Sequence, residues 1–256
     1  MKTVAIVQAR MGSSRLPGKV MMPVNDTPLI GLLLARLALS KEIDEIVVAT
    51  STEPENQKLA DYVATLNYAC VRGSEDDVLA RFMQAAEKAK ADVIVRITGD
   101  CPLIDAGLVD DMLHRFSELD VDYLNNCDPP TFPNGLDTEI FTMDALRLAH
   151  DKATDVSDRE HVTPYLRFRE TVRRETYKHQ PDLSAMRWTV DEAADFEVVK
   201  AVFDHFAPDR LFSWDEIVAL TASHPNLFEA NVSISRNEGM HLTPEEKKAR
   251  FEESKE

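Results

Sequence analysis

The chain has 256 residues, of which 45 are acidic and 29 are Lys or Arg, so its formal net charge is −16. This charge argues against nucleic acid and anionic membranes as partners, because both would repel it. No run of about 18 apolar residues predicts a membrane span, and the three cysteines lie far apart without a CxxC pattern. We therefore expect neither a zinc site nor a disulfide framework, and a reducing cytoplasm is the expected location.

The first 119 residues alternate short apolar runs with amphipathic segments. Strands are predicted at residues 3–9, 45–50, 67–71 and 92–97, and helices at residues 28–40, 54–66, 76–90 and 106–119. Strands rich in Val and Ile, separated by such helices, indicate βαβ units and a mostly parallel sheet. Ligands of parallel sheets bind beyond the carboxyl ends of the strands. The loop after the first strand and the turn after the fourth are therefore expected at one binding edge.

The second half of the chain is less regular. Strands are predicted at residues 137–141, 173–179 and 186–190, and helices at residues 143–152, 158–170, 192–206 and 213–223. A segment with three prolines, residues 125–134, predicts an extended excursion. We expect one α/β domain over residues 1–230, in which residues 120–180 form a smaller irregular insertion. Residues 231–256 are highly charged, and their Thr-Pro-Glu-Glu sequence predicts the start of a solvated helix.

The loop after the first strand, QARMGSSRLPGKV at residues 8–20, looks at first like an ATP-binding P-loop. A P-loop has four residues between its glycines and a Ser or Thr after its lysine. Here five residues separate Gly12 from Gly18, and a valine follows the lysine. Pro17 also removes one of the N–H groups that a P-loop directs at phosphate. The loop is therefore not a P-loop.

The side chains of this loop nevertheless suit a triphosphate. Arg10 and Arg15 offer planar guanidinium groups, and Lys19 offers a point charge. The first 36 residues carry five cationic side chains and one acidic side chain in an otherwise acidic protein. This local excess of positive charge favours a compact anion as the ligand, and a solvated basic loop that caps the sheet is the alternative.

The loop also resembles the signature of the sugar-activating cytidylyltransferases, xAR-x-x-S-x-R-L-P-x-K after the first strand. This family includes CMP-KDO synthetases and acylneuraminate cytidylyltransferases, and the resemblance is greatest to spore-coat polysaccharide biosynthesis proteins of the F type. It continues in order through RITGDCPLID (96–105), NGLDTEIF (134–141), DREHVTPYLR (158–167) and RWTVDEAADFEVV (187–199). The resemblance implies a single Rossmann-like, GT-A-like fold of the nucleotide-diphospho-sugar transferase type.

The implied activity is transfer of CMP from CTP to a sugar acid or related acceptor, with Mg²⁺ bound and pyrophosphate released. Relatives are commonly homodimers, and the aromatic residues of segment 125–179 are the expected contact. The main alternative is a guanylyl- or uridylyltransferase acting on a sugar phosphate, although those enzymes usually carry GxGTRL in this loop. A GT-A-type glycosyltransferase, which would need Asp-x-Asp, and a non-enzymatic nucleotide-binding regulator are further alternatives.

By the resemblance, the loop wraps the CTP phosphates, and Arg10, Lys19 and Asp100 are the catalytic residues. Arg10 and Lys19 would neutralise charge on the α-phosphate and on the departing pyrophosphate, which stabilises the transition state. The implied nucleotide contacts are Gln8, Ala9, Arg10, Gly12, Ser13, Ser14, Arg15, Lys19, Arg72, Gly73, Asp77 and Arg96. Segment 72–77 corresponds to part of the family's nucleobase pocket, but a turn that caps the next helix is an equal alternative.

The resemblance implies that Asp100 and Asp191 bind Mg²⁺, a cation that prefers carboxylate, water and phosphate oxygens. Each aspartate follows a predicted strand, so both carboxylates are expected at one edge of the sheet. Either residue could instead cap the helix that follows it. Asp195 and Glu192 are the competing candidates for the second ligand.

The acceptor pocket is expected in the second half of the chain, with Asn134, Glu139, His161 and Arg187 as contacts. Glu139 could orient the attacking hydroxyl group, and Arg187 could hold a phosphate or a carboxylate of the substrate. His161 is expected near the start of a helix, where a lone histidine can also be purely structural.

Overall fold

The structure is a computed structural model of the chain, and it describes residues 1–236. Within these residues the strands are β1 (Thr3–Gln8), β2 (Pro23–Val24), β3 (Thr27–Pro28), β4 (Glu45–Ser51), β5 (Ala69–Gly73), β6 (Val93–Thr98), β7 (Tyr123–Asn125), β8 (Glu139–Thr142) and β9 (Arg174–Thr176). The α-helices are α1 (Leu29–Leu37), α2 (Gln57–Thr65), α3 (Val78–Ala89), α4 (Ala106–Glu118), α5 (Met143–Lys152), α6 (Val156–His161), α7 (Pro164–Phe168), α8 (Ala193–Phe206) and α9 (Trp214–Ser223). Short 3₁₀ helices lie at Lys19–Met21, Pro54–Asn56 and Pro225–Asn231.

Seven of the strands form one sheet in the order β5-β4-β1-β6-β8-β7-β9. β1 pairs in parallel with β4 on one side and with β6 on the other, and β5 pairs in parallel with β4. β8 runs antiparallel to β6 and β7, whereas β9 is parallel to β7; β2 and β3 form a separate antiparallel pair. The order of the strands reverses between β1 and β6, which is where open α/β sheets bind ligands.

The sheet is covered on both faces, as its apolar strands predict. Val4 and Ile6 of β1 pack in a cluster with α3, α5 and α7. Ala5 and Val7 face the opposite way, into a cluster with α1, α4 and α8. All four side chains are fully buried, because side chains alternate along a strand and both faces of this sheet are covered by helices. The loops at the end of β1 therefore lie between two helical layers.

The α/β fold and the mostly parallel sheet expected from the sequence are confirmed, but residues 158–170 do not form the single helix that we expected. α6 ends at His161 and α7 begins at Pro164. Val162 has a φ of 71°, a left-handed conformation that a β-branched residue rarely adopts, and Pro164 has no N–H to continue a helix. His161 therefore lies at the end of a helix and not near its start.

Residues 186–190, which we expected to be a strand, do not pair as one in the structure. Asn134 and Arg187 form an isolated bridge, and the N–H of Trp188 donates to the carbonyl of Asn134 at 2.6 Å. The N–H of Val190 donates to the carbonyl of Asp100 at 2.8 Å. This segment therefore leads the chain to the turn after β6, whereas the short strand β7 was not predicted.

None of the helices within residues 1–236 is long and apolar enough to cross a membrane. The solvated helix expected in the charged carboxyl-terminal tail falls, from residue 237 onward, outside the described residues.

Candidate active site

A cavity of about 240 Å³ lies where the loop after β1 meets the turn after β6. We call it the loop cavity. The predicted site residues that line it are Gln8, Ala9, Arg10, Ser13, Ser14, Arg15, Lys19, Asp100 and His161. Val78 and Arg81 of α3 form part of its wall. Gly12 is not among the lining residues. An added Cβ atom there would stand 2.9 Å from Glu55 Oε1, so a glycine allows this close approach.

Backbone hydrogen bonds fix the shape of the loop. The N–H groups of Ser13 and Gly18 both donate to the carbonyl of Met11, at 2.9 and 2.8 Å. The N–H of Met11 donates to Asn56 Oδ1 at 2.7 Å. Gly18 has a φ of 74°, a left-handed conformation that favours glycine. This bend begins the 3₁₀ turn that directs Lys19 into the cavity.

Lys19 connects the two predicted metal-binding aspartates. Its Nζ lies 2.9 Å from Asp100 Oδ2 and 2.8 Å from Asp191 Oδ1. Burial alone would lower the pKa of Lys19, but the two carboxylates outweigh burial and raise it, so the ammonium stays protonated. The structure thus brings together three residues that are up to 172 positions apart in sequence.

Asp191 is held in place by cations on three sides. Besides Lys19, Arg15 Nη2 lies 3.1 Å from Asp191 Oδ2, and Arg187 Nη2 lies 3.4 Å from the same oxygen. Burial would raise the pKa of Asp191, but Lys19 and Arg15 outweigh it and hold that pKa well below its usual range. Asp191 is therefore an anion in a cationic environment.

Asp195 does not compete for the role of metal ligand. It is fully buried, and Arg187 grips it with Nε and Nη2 at 2.7 and 2.8 Å. Asp195 Oδ2 also accepts from the backbone N–H of Asp191 at 2.9 Å. We expected Arg187 to contact the substrate, but in the structure its guanidinium holds Asp195 and Asp191, so it acts as a positioning residue.

The alternative that Asp100 and Asp191 are helix caps does not agree with the structure. α4 is capped by Asp105, whose Oδ1 accepts from the N–H of Leu108 at 2.9 Å. α8 begins at Ala193 after Glu192 as its N-cap, so Asp191 stands outside that helix. Within residues 1–236 there is no group of three or more potential metal-binding side chains. Asp100 and Asp191 are two carboxylates that both contact Lys19, and a cation such as Mg²⁺ needs only one or two protein carboxylates.

The segment predicted to contact the base holds its polar groups in protein contacts. Arg72 donates to the carbonyls of Ser51 and Glu53 at 3.0 and 3.1 Å, and it does not line the loop cavity. Asp77 caps α3 by accepting from the N–H of Ala80 at 2.9 Å and pairs with Arg159 at 3.0 Å. The capping alternative therefore describes this turn.

Sequence analysis missed Arg81. Its signal was an arginine on the apolar stripe of α3, between Val78 and Phe82, which are both buried. Long charged side chains seldom occupy such positions unless something pairs with them. An arginine at helical spacing with core residues is thus a candidate for contact with a buried ligand.

A second cavity, of about 490 Å³, adjoins the first, and Thr98 and His161 line both. We call it the arginine cavity, because Arg96, Arg167 and Arg236 line it. Its acidic lining residues include Asp137 and Glu139. Sequence analysis missed Arg167 and Arg236, although Arg167 lies within the DREHVTPYLR motif.

Glu139 is a buried carboxylate that pairs with two arginines of the arginine cavity, Arg96 and Arg167. It is only 2% exposed; Arg167 Nη2 lies 2.7 Å from its Oε1, and Arg96 and the Tyr123 hydroxyl donate to it as well. Burial would raise the pKa of Glu139, but Arg96 and Arg167 outweigh burial and lower it to about 2. Glu139 is therefore a permanent anion that holds two arginines, which does not suit the role of a base.

The remaining predicted residues are Arg96, Asn134 and Gly73, and the structure gives each of them a contact within the protein. Arg96 Nε donates to Gln8 Oε1 at 3.1 Å, which links the arginine cavity to the loop cavity. Asn134 lies beneath the surface, 8% exposed, and its N–H donates to the carbonyl of Met186 at 2.9 Å. Gly73 leaves room for Arg81, whose Cγ would stand 3.2 Å from a Cβ atom added at Gly73.

Comparison with known proteins gives one consistent family. The family model for cytidylyltransferases matches residues 4–234. A protein of Methanocaldococcus jannaschii is 37% identical over 209 residues, which cover 80% of this chain and 85% of that protein. The spore coat polysaccharide biosynthesis protein SpsF of Bacillus subtilis is 31% identical and covers 86% of this chain and 94% of its own length. A cytidylyltransferase structure from Leptospira borgpetersenii, 34% identical, superposes with a TM-score of 0.86 over 90% of this chain and 97% of that one.

Proposed function

Because the chain belongs to the cytidylyltransferase family, we propose that it transfers CMP from CTP to a sugar acid or a related sugar-type acceptor and releases pyrophosphate. The observation that carries this proposal is the convergence of Asp100 and Asp191 on Lys19, with contacts of 2.9 and 2.8 Å, at a cavity that Lys19 and Asp100 line. Arg10 and Arg15 line the same cavity. This combination of cations and paired carboxylates suits a triphosphate and its counter-ion.

In this proposal the loop cavity binds the triphosphate through Arg10, Ser13, Ser14, Arg15 and Lys19. An acceptor oxygen attacks the α-phosphorus in line, a new O–P bond forms, and the bond to the β-phosphate oxygen breaks. Negative charge then increases on the departing pyrophosphate. Cations that are fixed before the reaction stabilise this charge more in the transition state than in the substrate, which lowers the barrier.

We propose Mg²⁺ as the counter-ion of the triphosphate, with Asp100 and Asp191 as the protein ligands. The two carboxylates fit this role because both reach one cationic atom, Lys19 Nζ, at under 3 Å. Mg²⁺ accepts one or two carboxylates and completes its shell with water and phosphate oxygens. When bound, it would neutralise charge on the phosphate oxygens. Arg187 and Asp195 would keep Asp191 in position. Arg187 donates to the carboxylate of Asp191, and Asp195 accepts from its backbone N–H.

We assign the arginine cavity to the acceptor. Thr98 and His161 line both cavities, so a hydroxyl group bound beside them is near the phosphates. Arg96 and Arg167 are guanidinium groups that suit a carboxylate. The name of SpsF suggests a product used for a surface polysaccharide or another glycoconjugate. We further propose a cytoplasmic homodimer that uses part of segment 125–179, where Phe168 is 68% exposed.

The test of this function is pyrophosphate release from each of the four nucleoside triphosphates, with Mg²⁺ and a panel of sugar acids, amino sugars and sugar phosphates. We expect release with CTP and an acceptor together, and little with CTP alone. The Lys19→Ala variant serves as the inactive control. Release that is equal or greater with GTP or UTP would contradict the cytidylyl assignment.

A further inference from the structure

Lys19 occupies the point on which the two proposed Mg²⁺ ligands converge. Its Nζ lies 2.9 Å from Asp100 Oδ2 and 2.8 Å from Asp191 Oδ1. The Lys19 side chain is only 9% exposed, so it lies deeper than either carboxylate. An ammonium group and a metal ion cannot both contact the same two carboxylate oxygens, because the two cations would repel each other at that distance. The lysine therefore competes for the position that Mg²⁺ would need.

The other oxygen of Asp191 offers no second position for a metal ion. Asp191 Oδ2 contacts Arg15 Nη2 at 3.1 Å and Arg187 Nη2 at 3.4 Å. Both arginines also have a second acidic partner. Arg15 pairs with Glu192 at 3.2 Å, and Arg187 pairs with Asp195 at 2.7 Å. Each oxygen of the Asp191 carboxylate thus already has a cation, and a divalent cation that binds this carboxylate has to replace one of them.

Lys19 is the cation of this group that is easiest to replace. Within the described part of the chain its ion pairs are those with Asp100 and Asp191, and no third acidic side chain pairs with it. Lysine carries its charge on a flexible four-carbon stem, unlike the planar fork of arginine. Lys19 also lines the loop cavity beside Arg10, so its side chain borders the space that we assign to the triphosphate. Phosphate oxygens are thus a second set of acceptors for the same ammonium group.

We propose that Lys19 is a resident counter-ion, which keeps free divalent cations off Asp100 and Asp191 until the phosphates of a nucleotide draw its ammonium group away. Mg²⁺ arrives with the nucleotide and takes the place of Lys19 between the two carboxylates. This proposal rests on the function proposed above, including its Mg²⁺ ligands, and it adds an order of events. Metal and nucleotide should bind with positive coupling, and part of that coupling should come from the lysine.

The exchange keeps both anions neutralised at each stage. Two carboxylates that share a site without a counter-ion repel each other, so the lysine holds Asp100 and Asp191 together between turnovers. In the nucleotide complex the same ammonium group neutralises phosphate charge, where it also stabilises the transition state. One side chain thus serves two anionic groups in turn, which its flexible stem allows.

The test measures Mn²⁺ binding to the full chain by electron paramagnetic resonance, with Mn²⁺ as the paramagnetic substitute for Mg²⁺ and without nucleotide. Coupling between two sites is typically about 5–150-fold, so we expect Lys19→Met to bind Mn²⁺ about tenfold or more tightly than the wild-type protein. Lys19→Arg keeps a cation between the carboxylates and should bind Mn²⁺ as weakly as the wild type. The double variant Lys19→Met, Asp191→Asn should lose the gain, which would locate the Mn²⁺ at these carboxylates.

Arg15→Met is the matched control for net charge. It removes one positive charge from Asp191, as Lys19→Met does, but from Oδ2 and not from the point that Asp191 shares with Asp100. The gain in Mn²⁺ affinity should therefore be much smaller for Arg15→Met than for Lys19→Met.

A second measurement uses the wild-type protein, so it does not depend on the folding of a variant that lacks the charge. NMR of the protein with ¹⁵N-labelled lysine follows the ammonium group of Lys19, which is assigned by its absence from the spectrum of Lys19→Arg. We expect CTP to shift this resonance, with or without Mg²⁺, and Mg²⁺ alone to leave it unchanged.

The outcomes separate this inference from the proposed function. The role of Lys19 is overturned if the wild type binds Mn²⁺ without nucleotide as tightly as Lys19→Met does, if Arg15→Met gains as much affinity as Lys19→Met, or if Mg²⁺ alone shifts the Lys19 resonance as CTP does. In each of these cases pyrophosphate release by the wild type from CTP and an acceptor would leave the proposed function standing. If the wild type neither binds Mn²⁺ in the presence of CTP nor releases pyrophosphate, the proposed function and this inference are both wrong.

Discussion

The loop cavity and the arginine cavity adjoin at Thr98 and His161, yet they balance their positive charges differently. At the loop cavity, Lys19 pairs with Asp100, which lines the cavity, and with the neighbouring Asp191, and these two side chains are 25% and 23% exposed. In the arginine cavity, the side chain of Glu139, which pairs with Arg96 and Arg167, is only 3% exposed. The two carboxylates that pair with Lys19 are therefore partly exposed, whereas the carboxylate of the arginine cavity is buried.

Because the carboxylates differ in exposure, we expect substitutions in one cavity to change activity and substitutions in the other to change stability. A carboxylate that is partly exposed to the cavity can exchange one cation for another at little cost to the fold, because water and ligand both reach it. A buried carboxylate between two arginines cannot be removed without leaving charges unpaired in a medium of low polarity. Substitutions at Lys19 and its two aspartates should thus affect catalysis first, and substitution of the buried Glu139 should affect folding first.

The largest effect is expected for Asp191, the second aspartate of the proposed Mg²⁺ site. Asp191→Asn should reduce turnover below detection, because the variant loses one of the two carboxylates that we propose for Mg²⁺, and its melting temperature should fall less than that of Asp195→Asn. Asp195→Asn, four residues away, is the matched control. It should lower the free energy of unfolding by about 3–5 kcal/mol, since Arg187 would lose its buried partner.

Steady-state turnover and urea unfolding of both variants check this contrast. If Asp191→Asn unfolds the protein while the folded fraction turns over normally, Asp191 has a structural role. The second metal ligand would then have to be sought at Glu192.

The next largest effect is expected for Lys19. Lys19→Ala should reduce kcat on the order of 10²-fold or more, because the charge of the departing pyrophosphate would lose a fixed cation. Arg10→Ala should act in the same direction. Circular dichroism checks that both variants fold, and Lys41→Ala, at an exposed position, is the control. Turnover of Lys19→Ala within a few-fold of the wild type would show that the loop is not the catalytic element.

For the arginine cavity the expected effect is on stability and depends on pH. Glu139→Gln should lower the free energy of unfolding at pH 7 by about 3 kcal/mol, because Arg96 and Arg167 lose their shared buried anion. The ordinary pKa of this carboxyl group is 4.5, and folding lowers it to about 2. The stabilisation by Glu139 is therefore fully present above about pH 4.5 and is lost as the pH falls towards 2.

Urea unfolding of the wild type and Glu139→Gln at several pH values tests this. The difference between the two proteins should be constant near neutrality and should decrease on acidification below pH 4.5. A difference that does not change with pH in this range would mean that Glu139 is not an ionised anchor.

The smallest effect is expected for Arg167, which lines the arginine cavity from α7. Arg167→Met should raise the KM for the acceptor about tenfold, by the loss of one charged hydrogen bond, and should leave the KM for CTP near its wild-type value. Arg147→Met, on the exposed side of α5, is the control. An equal rise of both KM values would indicate a general disturbance of the site.

The sequence predicted the loop cavity better than the arginine cavity, for a physical reason. Arg10, Arg15 and Lys19 of the first lie in one contiguous loop, residues 8–19, which follows a strand with a clear apolar run. The second is assembled from β6, β8, α7 and residue 236, and nothing in the local sequence states that these segments meet. The local sequence around Arg167 does not predict its ion pair with Glu139, which only the fold brings about.

The local errors have different causes. The apolar alternation of residues 186–190 predicted a strand, but the ion pair between Arg187 and Asp195 and the hydrogen bond from Val190 to Asp100 hold these residues in another path. The helical pattern of residues 158–170 was interrupted by the left-handed conformation of Val162, which intrinsic preference disfavours. In the first place tertiary contacts outweigh the local pattern. In the second, the positive φ of Val162 and the missing N–H of Pro164 end the helix locally.

The central claim is that the α-phosphate of CTP goes to the acceptor while the β- and γ-phosphates leave together. The most direct measurement follows the label of α-³²P-CTP and of γ-³²P-CTP in parallel reactions with an acceptor that supports turnover. Our account predicts that the α label appears in the sugar product and the γ label in pyrophosphate. A γ label in the sugar product, or an α label that stays in CDP, would contradict cytidylyl transfer.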